Sequence, residues 1–322
     1  MQWTMGVDAG GTKILIGMVS EDGTIIEERR YESRRGTQEI ATAAVEKAVI
    51  AYWEDVVMTQ KVPYPDALGM GLVGKVDFRK GIWMYSLATP INDPYPISEL
   101  LSKRLGVPVF ADNDVHCATI AEMRFGAGLK ADDFVYLNIG TGVAAGLVSE
   151  RRLVRGSNNV AGEIGHMTVN MDMDIMCKCG RRGCMEEFSS GGGMLRYARS
   201  LFDQYPGSVL IKLDREGILF SSTIFDAARK GDQLAGRIKD LVVRTYVAVF
   251  QDLINLMDPA LIVVGGGVFQ DELLLPEIKE SLAGWLSIGK QTLAEKIELS
   301  SLDPQKVGLL GASLTAWVSK SI

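Results

Sequence analysis

The sequence is short of most features that commit a chain to a membrane, to export or to nucleic acid. No run reaches the roughly 18–20 consecutive apolar residues needed to span a bilayer. Residues 5–19 are apolar, but Asp8, Gly10, Gly11 and Lys13 interrupt them and no cleavage-type site follows, which argues against a secretory signal. Cysteine is scarce, and four in 322 residues cannot build a disulfide scaffold. Excess positive charge is missing too. The formal net charge is −6, and the basic doublets Arg29-Arg30, Arg34-Arg35, Arg151-Arg152 and Arg181-Arg182 are explained better by a solvated surface than by nucleic-acid binding. These absences predict a cytoplasmic globular protein with no membrane and no nucleic-acid partner.

What is present reads as an ordinary globular chain. Hydrophobic content of 47% and charged content of 23% exclude broad disorder, and the length suits two lobes better than one minimal core. Thr4–Asp8 reads as a strand, Ala9–Lys13 as a glycine-bearing tip, Ile14–Val19 as the return strand and Thr24–Arg30 as a third. Residues 38–59 form a predicted helix with Ile40, Ala44, Ala48, Ala51 and Tyr52 on one stripe. Ala67–Leu72 is a strand, a polar and proline-rich stretch runs to Pro96, Ile97–Leu105 is a helix, and Val107–Ala111 is a buried strand ending at Asp112-Asn113-Asp114. Phe134–Ile139, Gly140-Thr141-Gly142 and Val143–Val148 repeat the opening pattern; a duplicated fold would produce the echo, and so would chance. Helices at 222–230 and 234–257 precede the strand Ala260–Val264, which opens on Gly265-Gly266-Gly267, and 305–319 is a last helix with Gly308, Gly311, Ala312 and Ser313 on one side for close packing. Residues 203–220 read as an inserted loop or hairpin. Alternating strands and helices make the class α/β.

Several residues carry chemistry. Asp8, Gly10, Gly11, Thr12 and Lys13 put a carboxylate, unobstructed amides, a hydroxyl and a cation within six residues, a set able to hold phosphate oxygens and magnesium, although a plain Gly-Gly hairpin turn explains it as well. Gly140, Thr141 and Gly142 make a second such tip and Gly265, Gly266 and Gly267 a third; together they suggest one bound nucleotide, with phosphates on the first two tips and adenosine near the third. Asp112-Asn113-Asp114 ends a buried strand, where α/β sheets collect ligand groups; one of the three can cap the helix at 115–124 while another supplies a base for phosphoryl transfer. Cys177, Cys179 and Cys184 crowd into eight residues and, with an imidazole, suit a closed structural zinc site that would aim Glu163, His166 and Glu186 in one direction. Three buried free cysteines are the other reading, disfavoured because Cys-x-Cys-Gly-x-x-Gly-Cys bends the backbone where ligands must converge. His116 and Cys117 read as a satisfied helix residue and a core thiol.

With these motifs assembled in order (Asp8–Lys13, Asn113-Asp114, Gly140–Gly142, Glu163-x-x-His166, the Cys-x-Cys-Gly-x-x-Gly-Cys-x-Glu knot and Gly265–Gly267), the chain resembles the ROK family over essentially its full length. The resemblance implies a two-lobed actin-like, Hsp70-like ATPase (ribonuclease H-like) fold with a nucleotide cleft between the lobes, residues 1–114 with 305–322 forming the smaller lobe and 115–304 the larger. It implies an ATP-dependent sugar kinase acting on the 6-hydroxyl of a hexose, working as a homodimer with ATP, Mg2+ and structural Zn2+. Asp114 would be the base, Asn113, Glu163, His166 and Glu186 would bind the sugar, and His166 would join Cys177, Cys179 and Cys184 on the metal. The family's Asn-Leu-x-x-Trp stretch corresponds here to Ser86–Asp93, and its Pro-Gly-Pro to Val73-Gly74-Lys75. Glucose is therefore the default acceptor, with an N-acetylhexosamine (N-acetylmannosamine or N-acetylglucosamine) or fructose as alternatives. A sugar-responsive transcriptional regulator is the reading from another class, disfavoured because the first strand begins near residue 4.

Overall fold

A computed structural model describes residues 2–11, 13–34, 36–86, 91–173, 175–285 and 291–318. The chain divides into two compact units: Met1–Lys130 with Arg151–Ala161 and Ser301–Ile322, and Ala131–Glu150 with Gly162–Ser300.

In the first unit β1 (Trp3–Ala9), β2 (Lys13–Ser20) and β3 (Ile25–Glu32) form an antiparallel meander, and β4 (Ala67–Leu72) and β7 (Val109–Asn113) extend it in parallel on the far side of β1. The sheet order is β3-β2-β1-β4-β7. Between the strands lie α1 (Gln38–Tyr52), the hairpin β5 (Lys75–Asp77) and β6 (Ile82–Tyr85), and α2 (Ile97–Leu105); α3 (Asp114–Phe125) follows β7, and β10 (Arg152–Val154) and α10 (Val307–Val318) also belong here. Side chains alternate across a strand, so one sheet face carries Met5, Val7, Leu68 and Met70 and packs on Val45 and Val49 of α1 and Ile97 and Leu101 of α2. The opposite face carries Gly6, Asp8, Gly69 and Gly71, where α10 and α3 settle close to the backbone. A Cβ at Gly69 would lie 1.9 Å from the Ala312 carbonyl oxygen, and one at Gly311 only 1.7 Å from that of Cys117. The small residues expected along the last helix are thus the ones that let it touch sheet and α3 at backbone distance.

The second unit contains the strands β8 (Phe134–Ile139), β9 (Val143–Ser149), β11 (Leu261–Gly265) and β12 (Ile297–Leu299), in the order β9-β8-β11-β12. An antiparallel hairpin followed by two parallel strands repeats the β2-β1-β4-β7 arrangement of the first sheet, as duplication would produce. Its helices are α4 (Glu186–Ser189), α5 (Gly191–Ser200), α6 (Val209–Arg215), α7 (Ser221–Arg229), α8 (Gln233–Met257) and α9 (Leu274–Trp285). The buried residues of α8, among them Leu234, Ile238, Val242, Tyr246 and Leu253, recur every three or four positions and face Val135, Leu137, Ile262 and Val264 of the sheet. Asp258 in the left-handed conformation ends α8 just before Pro259.

Three local expectations change. The helix over 38–59 closes at Tyr52 and continues as a π-turn over Trp53–Val57, and its buried face is Ala41, Val45, Ala48, Val49 and Tyr52, leaving Ile40 exposed. The polar stretch before Pro96 contains the β5–β6 hairpin. Residues 203–220 contain α6 rather than a hairpin: Ser208 caps it, Asp232 accepts hydrogen bonds from the Ser208 hydroxyl and the Val209 amide, and Leu210 anchors it in the core.

The close approach of α10 is directly testable. Gly311→Ala should cost at least ~2 kcal/mol, because overpacking against backbone has nowhere to relax. Gly236→Ala in α8, where a Cβ meets nothing within 4 Å, should stabilise by about 0.5–1 kcal/mol. Denaturant midpoints of the two variants check both; equal, small shifts would contradict the packing.

Candidate active site and metal centre

In the first unit three parallel strands end in step. Asp8 of β1 stands opposite Gly71 of β4, and Gly71 opposite Asp112 of β7. The Asp8–Lys13 tip and the Asp112-Asn113-Asp114 segment therefore share one end of the sheet, two strand spacings or about 10 Å apart. Asp8 lies over the start of α10, where only the missing side chain of Gly308 leaves room: a Cβ there would sit 2.6 Å from a carboxylate oxygen. Burial pushes the Asp8 carboxyl up to about 6, with Lys13 pulling in the opposite direction. Lys13 donates from its ammonium to the Gln305 side chain just ahead of α10. Gly10 and Gly11 form the tip; Thr12 lies outside the described residues.

At the β7–α3 junction each residue has its own task. Asn113 is the N-cap of α3, its side-chain oxygen accepting from the Val115 and His116 amides at 2.9 and 3.0 Å, and its amide donating to the Gly74 carbonyl at 2.9 Å. Asp112 is buried and structural: it accepts from Arg155 Nε at 3.0 Å and Nη2 at 2.7 Å, and its other oxygen lies 3.0 Å from His116 Nδ1. Burial works against ionisation of Asp112, but His116 and Arg155 outweigh it and hold the carboxyl below its usual range. Asp114, half-buried at the first position of α3, is the second carboxylate of the junction's run, one oxygen accepting from the Val115 amide at 3.0 Å. Cys117 is the buried thiol expected, its pKa raised by burial.

In the second unit Asn138 of β8 pairs with Gly265 of β11, so the Gly140-Thr141-Gly142 and Gly265-Gly266-Gly267 tips also share one sheet end. The first two residues of α5 reach the former: Gly191 and Gly192 donate to the carbonyls of Gly140 (2.8 Å) and Thr141 (3.3 Å). Glu186 Oε2 accepts from the Val143 amide at 3.0 Å and lies 2.7 Å from where a Gly142 Cβ would be, so the glycine makes the space this carboxylate fills. Glu163 is exposed and precedes the short helical turn Ile164–His166.

His166 and the three knot cysteines come together. One potential ligand atom from each of His166, Cys177, Cys179 and Cys184 lies within 4.8 Å of all the others. Cys177 Sγ is 3.5 Å from His166 Nδ1, and Cys179 Sγ is 3.6 Å from Cys184 Sγ. Zn–S bonds of about 2.3 Å at a tetrahedral angle put sulfurs roughly 3.8 Å apart, so the donor set and its spacing fit zinc. Burial works against the Cys179 thiolate, yet hydrogen bonds from Arg181 and the neighbouring thiols outweigh it and hold the pKa near 6. Burial raises the other two thiols, a penalty that a bound dication reverses. The fit extends to the backbone, where Cys177 N donates to Arg181 O at 2.8 Å and closes the turn.

Three contributors escape a reading of the sequence. Arg155 lies 43 positions from Asp112 with no local signal of the pairing. Gly308 resembles any other small packing residue of α10. Gly191–Gly193 went unread, although Ser190, which accepts from the Gly193 amide at 2.8 Å, is the kind of residue that caps a helix start.

The Asp8 environment has a pH signature. Its folded-state pKa lies above the unfolded value, so its contribution to stability is fully present below about pH 4 and is lost as pH rises through about 6. Asp8→Asn should therefore stabilise the ligand-free protein by about 1–3 kcal/mol at pH 8, a gap that closes between pH 6 and 4. Thermal or denaturant melts across pH check it, and a variant less stable than the parent at pH 8 would contradict it.

Comparison with known proteins places this arrangement. A family model described as the ROK family matches residues 4–319. A glucokinase from Thermotoga maritima is 31% identical over 286 residues, 88% of this chain and 87% of that protein. An N-acetylmannosamine kinase from Yersinia pestis is 26% identical over 320 residues, 98% of each. Among solved structures, a ROK family glucokinase from Streptomyces griseus in complex with glucose and AMPPNP superposes with a TM-score of 0.79 at 33% identity, covering 97% of this chain and 98% of that one. With this match along nearly its whole length and the actin-like ATPase fold of those structures, the chain belongs to the ROK family.

Proposed function

We propose that the chain is an ATP-dependent sugar kinase that phosphorylates the 6-hydroxyl of a hexose, with Asp114 as general base. Its nearest support is the shared sheet end in the first unit, where a phosphate-type tip and a helix-start carboxylate stand at the ends of β1 and β7 with β4 between them. Transfer needs little covalent chemistry from the protein and much positioning. The Asp114 carboxylate takes the hydroxyl proton as the new P–O bond forms and the bond from the γ-phosphorus to ADP breaks. Asn113 orients the alcohol with the second hydrogen of its amide, the first being held by Gly74. Asp8 is the carboxylate that would hold magnesium, which when bound neutralises phosphate charge, and Lys13 adds a cation beside it. The glycine tips of the second unit, Gly140–Gly142 and Gly265–Gly267, are assigned to phosphate and adenosine, as their backbone amides and lack of side chains suit close contact.

We assign zinc to His166, Cys177, Cys179 and Cys184. With Nδ1 turned to the cysteines, Nε2 of His166 is the atom that reaches the sugar, beside Glu163 and Glu186 at the far end of the ring. Glucose is the default acceptor. Lys75 and Ser86, standing where relatives of the glucose type carry proline and asparagine, are the positions we expect to bias the choice toward an N-acetylhexosamine or fructose. A homodimer in the cytoplasm is expected from the family resemblance; no helix among the described residues is long and apolar enough to cross a membrane.

Asp114→Asn should lower kcat by about 10²–10⁴ with ATP and the preferred sugar while the melting temperature stays near the parent's. Turnover within a few-fold of the parent would remove the base assignment. Stripping the metal, or Cys179→Ser, should lower thermal stability and raise the sugar KM by about tenfold or more, with a smaller effect on the nucleotide KM. A metal-free protein with an unchanged sugar KM would separate the knot from the sugar site.

A further inference from the structure

The first unit holds a cavity of about 1430 Å³ that none of the residues proposed for catalysis or metal binding lines. Its walls are the β5–β6 turn, the second half of α3, the segment around β10 and the end of α10. Of the seventeen described residues that line it, six are cations: Arg79, Lys80, Arg124, Arg151, Arg152 and Arg155. With 34 Lys and Arg in 322 residues, an unbiased lining of that size would hold about two, and the chain as a whole is acidic.

The positive charge there is poorly compensated. Among the described residues Asp77 is the sole acid in the lining, and its carboxylate accepts hydrogen bonds from the Arg79 and Lys80 backbone amides at 3.2 Å, holding it in the turn. Arg155 at the floor is neutralised by Asp112 and stacked on the Phe78 ring, its guanidinium carbon 4.1 Å from the ring centre. Lys80, Arg124 and Arg152 are exposed and, among the described residues, have no carboxylate partner. Three like charges around one concavity repel one another and are relieved by a multiply charged anion, to which guanidinium groups donate in pairs. The lining also includes Ile120, Met123, Leu153 and Trp317, buried or half-buried apolar side chains that bare surface charge does not need.

We infer that this cavity binds a small phosphorylated molecule, its phosphate groups held by Lys80, Arg124 and Arg152. The site is independent of the kinase reading, and α3 joins the two: Asp114 opens the helix, and Ile120, Met123 and Arg124 line the cavity at its other half.

Calorimetric titration of the full-length, metal-loaded protein tests it, with glucose and a non-hydrolysable ATP analogue present at saturation so that other phosphate sites are filled. Inorganic pyrophosphate and a hexose bisphosphate are the probes; which binds tighter tells whether free phosphate or an organic phosphate is the better occupant. Binding with Kd below about 1 mM, weakened tenfold or more by Arg124→Glu with Arg152→Glu and by raising salt, supports the site. The double variant should keep the parent's melting temperature, and both probes should bind Asp114→Asn as they bind the parent. Absence of binding by either probe, or equal affinity in parent and double variant, would overturn it.

Discussion

Helix α10 rests on the first sheet at a distance that only glycine permits, and much of the proposed chemistry follows from that contact. Gly69 admits the Ala312 carbonyl from one side, Gly311 admits that of Cys117 from another, and Gly308 leaves the hollow that Asp8 fills. A side chain at any of these would push α10 away from β4, from α3, or from the first phosphate-type tip. Because α3 starts at Asp114 and is clasped by α10 along its length, the same contact sets where the junction carboxylate stands. Fixing a carboxylate this way has a cost: Asp8 is held in surroundings that oppose its charge, the sort of local penalty that functional sites carry and the rest of a fold offsets.

The second unit uses a different device for a similar end. Its Gly140–Gly142 tip is tied to the beginning of α5 and, through Val143, to Glu186, and Glu186 follows Cys184 by two residues, so the knot and that tip are mechanically one piece. A metal at His166, Cys177, Cys179 and Cys184 would thus stiffen more than its own loop. Hydrophobic packing of α8 beneath, with the Tyr246 hydroxyl donating to the Ser189 carbonyl at 2.8 Å, holds α4 and α5 from the other side.

Local signals carried far in this chain because its chemistry is clustered. The three glycine tips, the Asn113-Asp114 pair and the Cys-x-Cys-Gly-x-x-Gly-Cys run each lie within a few residues, and backbone rules alone placed them at strand ends and turns. The strands Ala67–Leu72 and Phe134–Ile139 and the helix Ile97–Leu105 were legible to the residue, since buried runs and capped amphipathic turns read cleanly. What stayed hidden depends on tertiary partners. The face of α1 was misread because Ile40 is apolar yet points to solvent, whereas Val45 and Val49 meet the sheet. Helix α6 was missed because its stability comes from Asp232, 24 residues beyond its cap. Arg155 and Asp112 form a buried pair across 43 residues, which no window of sequence displays.

The central claim is that the Asp114 end of the first sheet delivers a phosphoryl group to a sugar hydroxyl. The most direct measurement is two-dimensional proton–phosphorus NMR of the product formed from ATP and glucose, or from whichever sugar a panel shows is turned over. The account predicts phosphorus coupled to the two protons on carbon 6 of the hexose, with ADP formed in equal amount. Phosphorus on another carbon, or ADP released with no phosphorylated sugar, would contradict it.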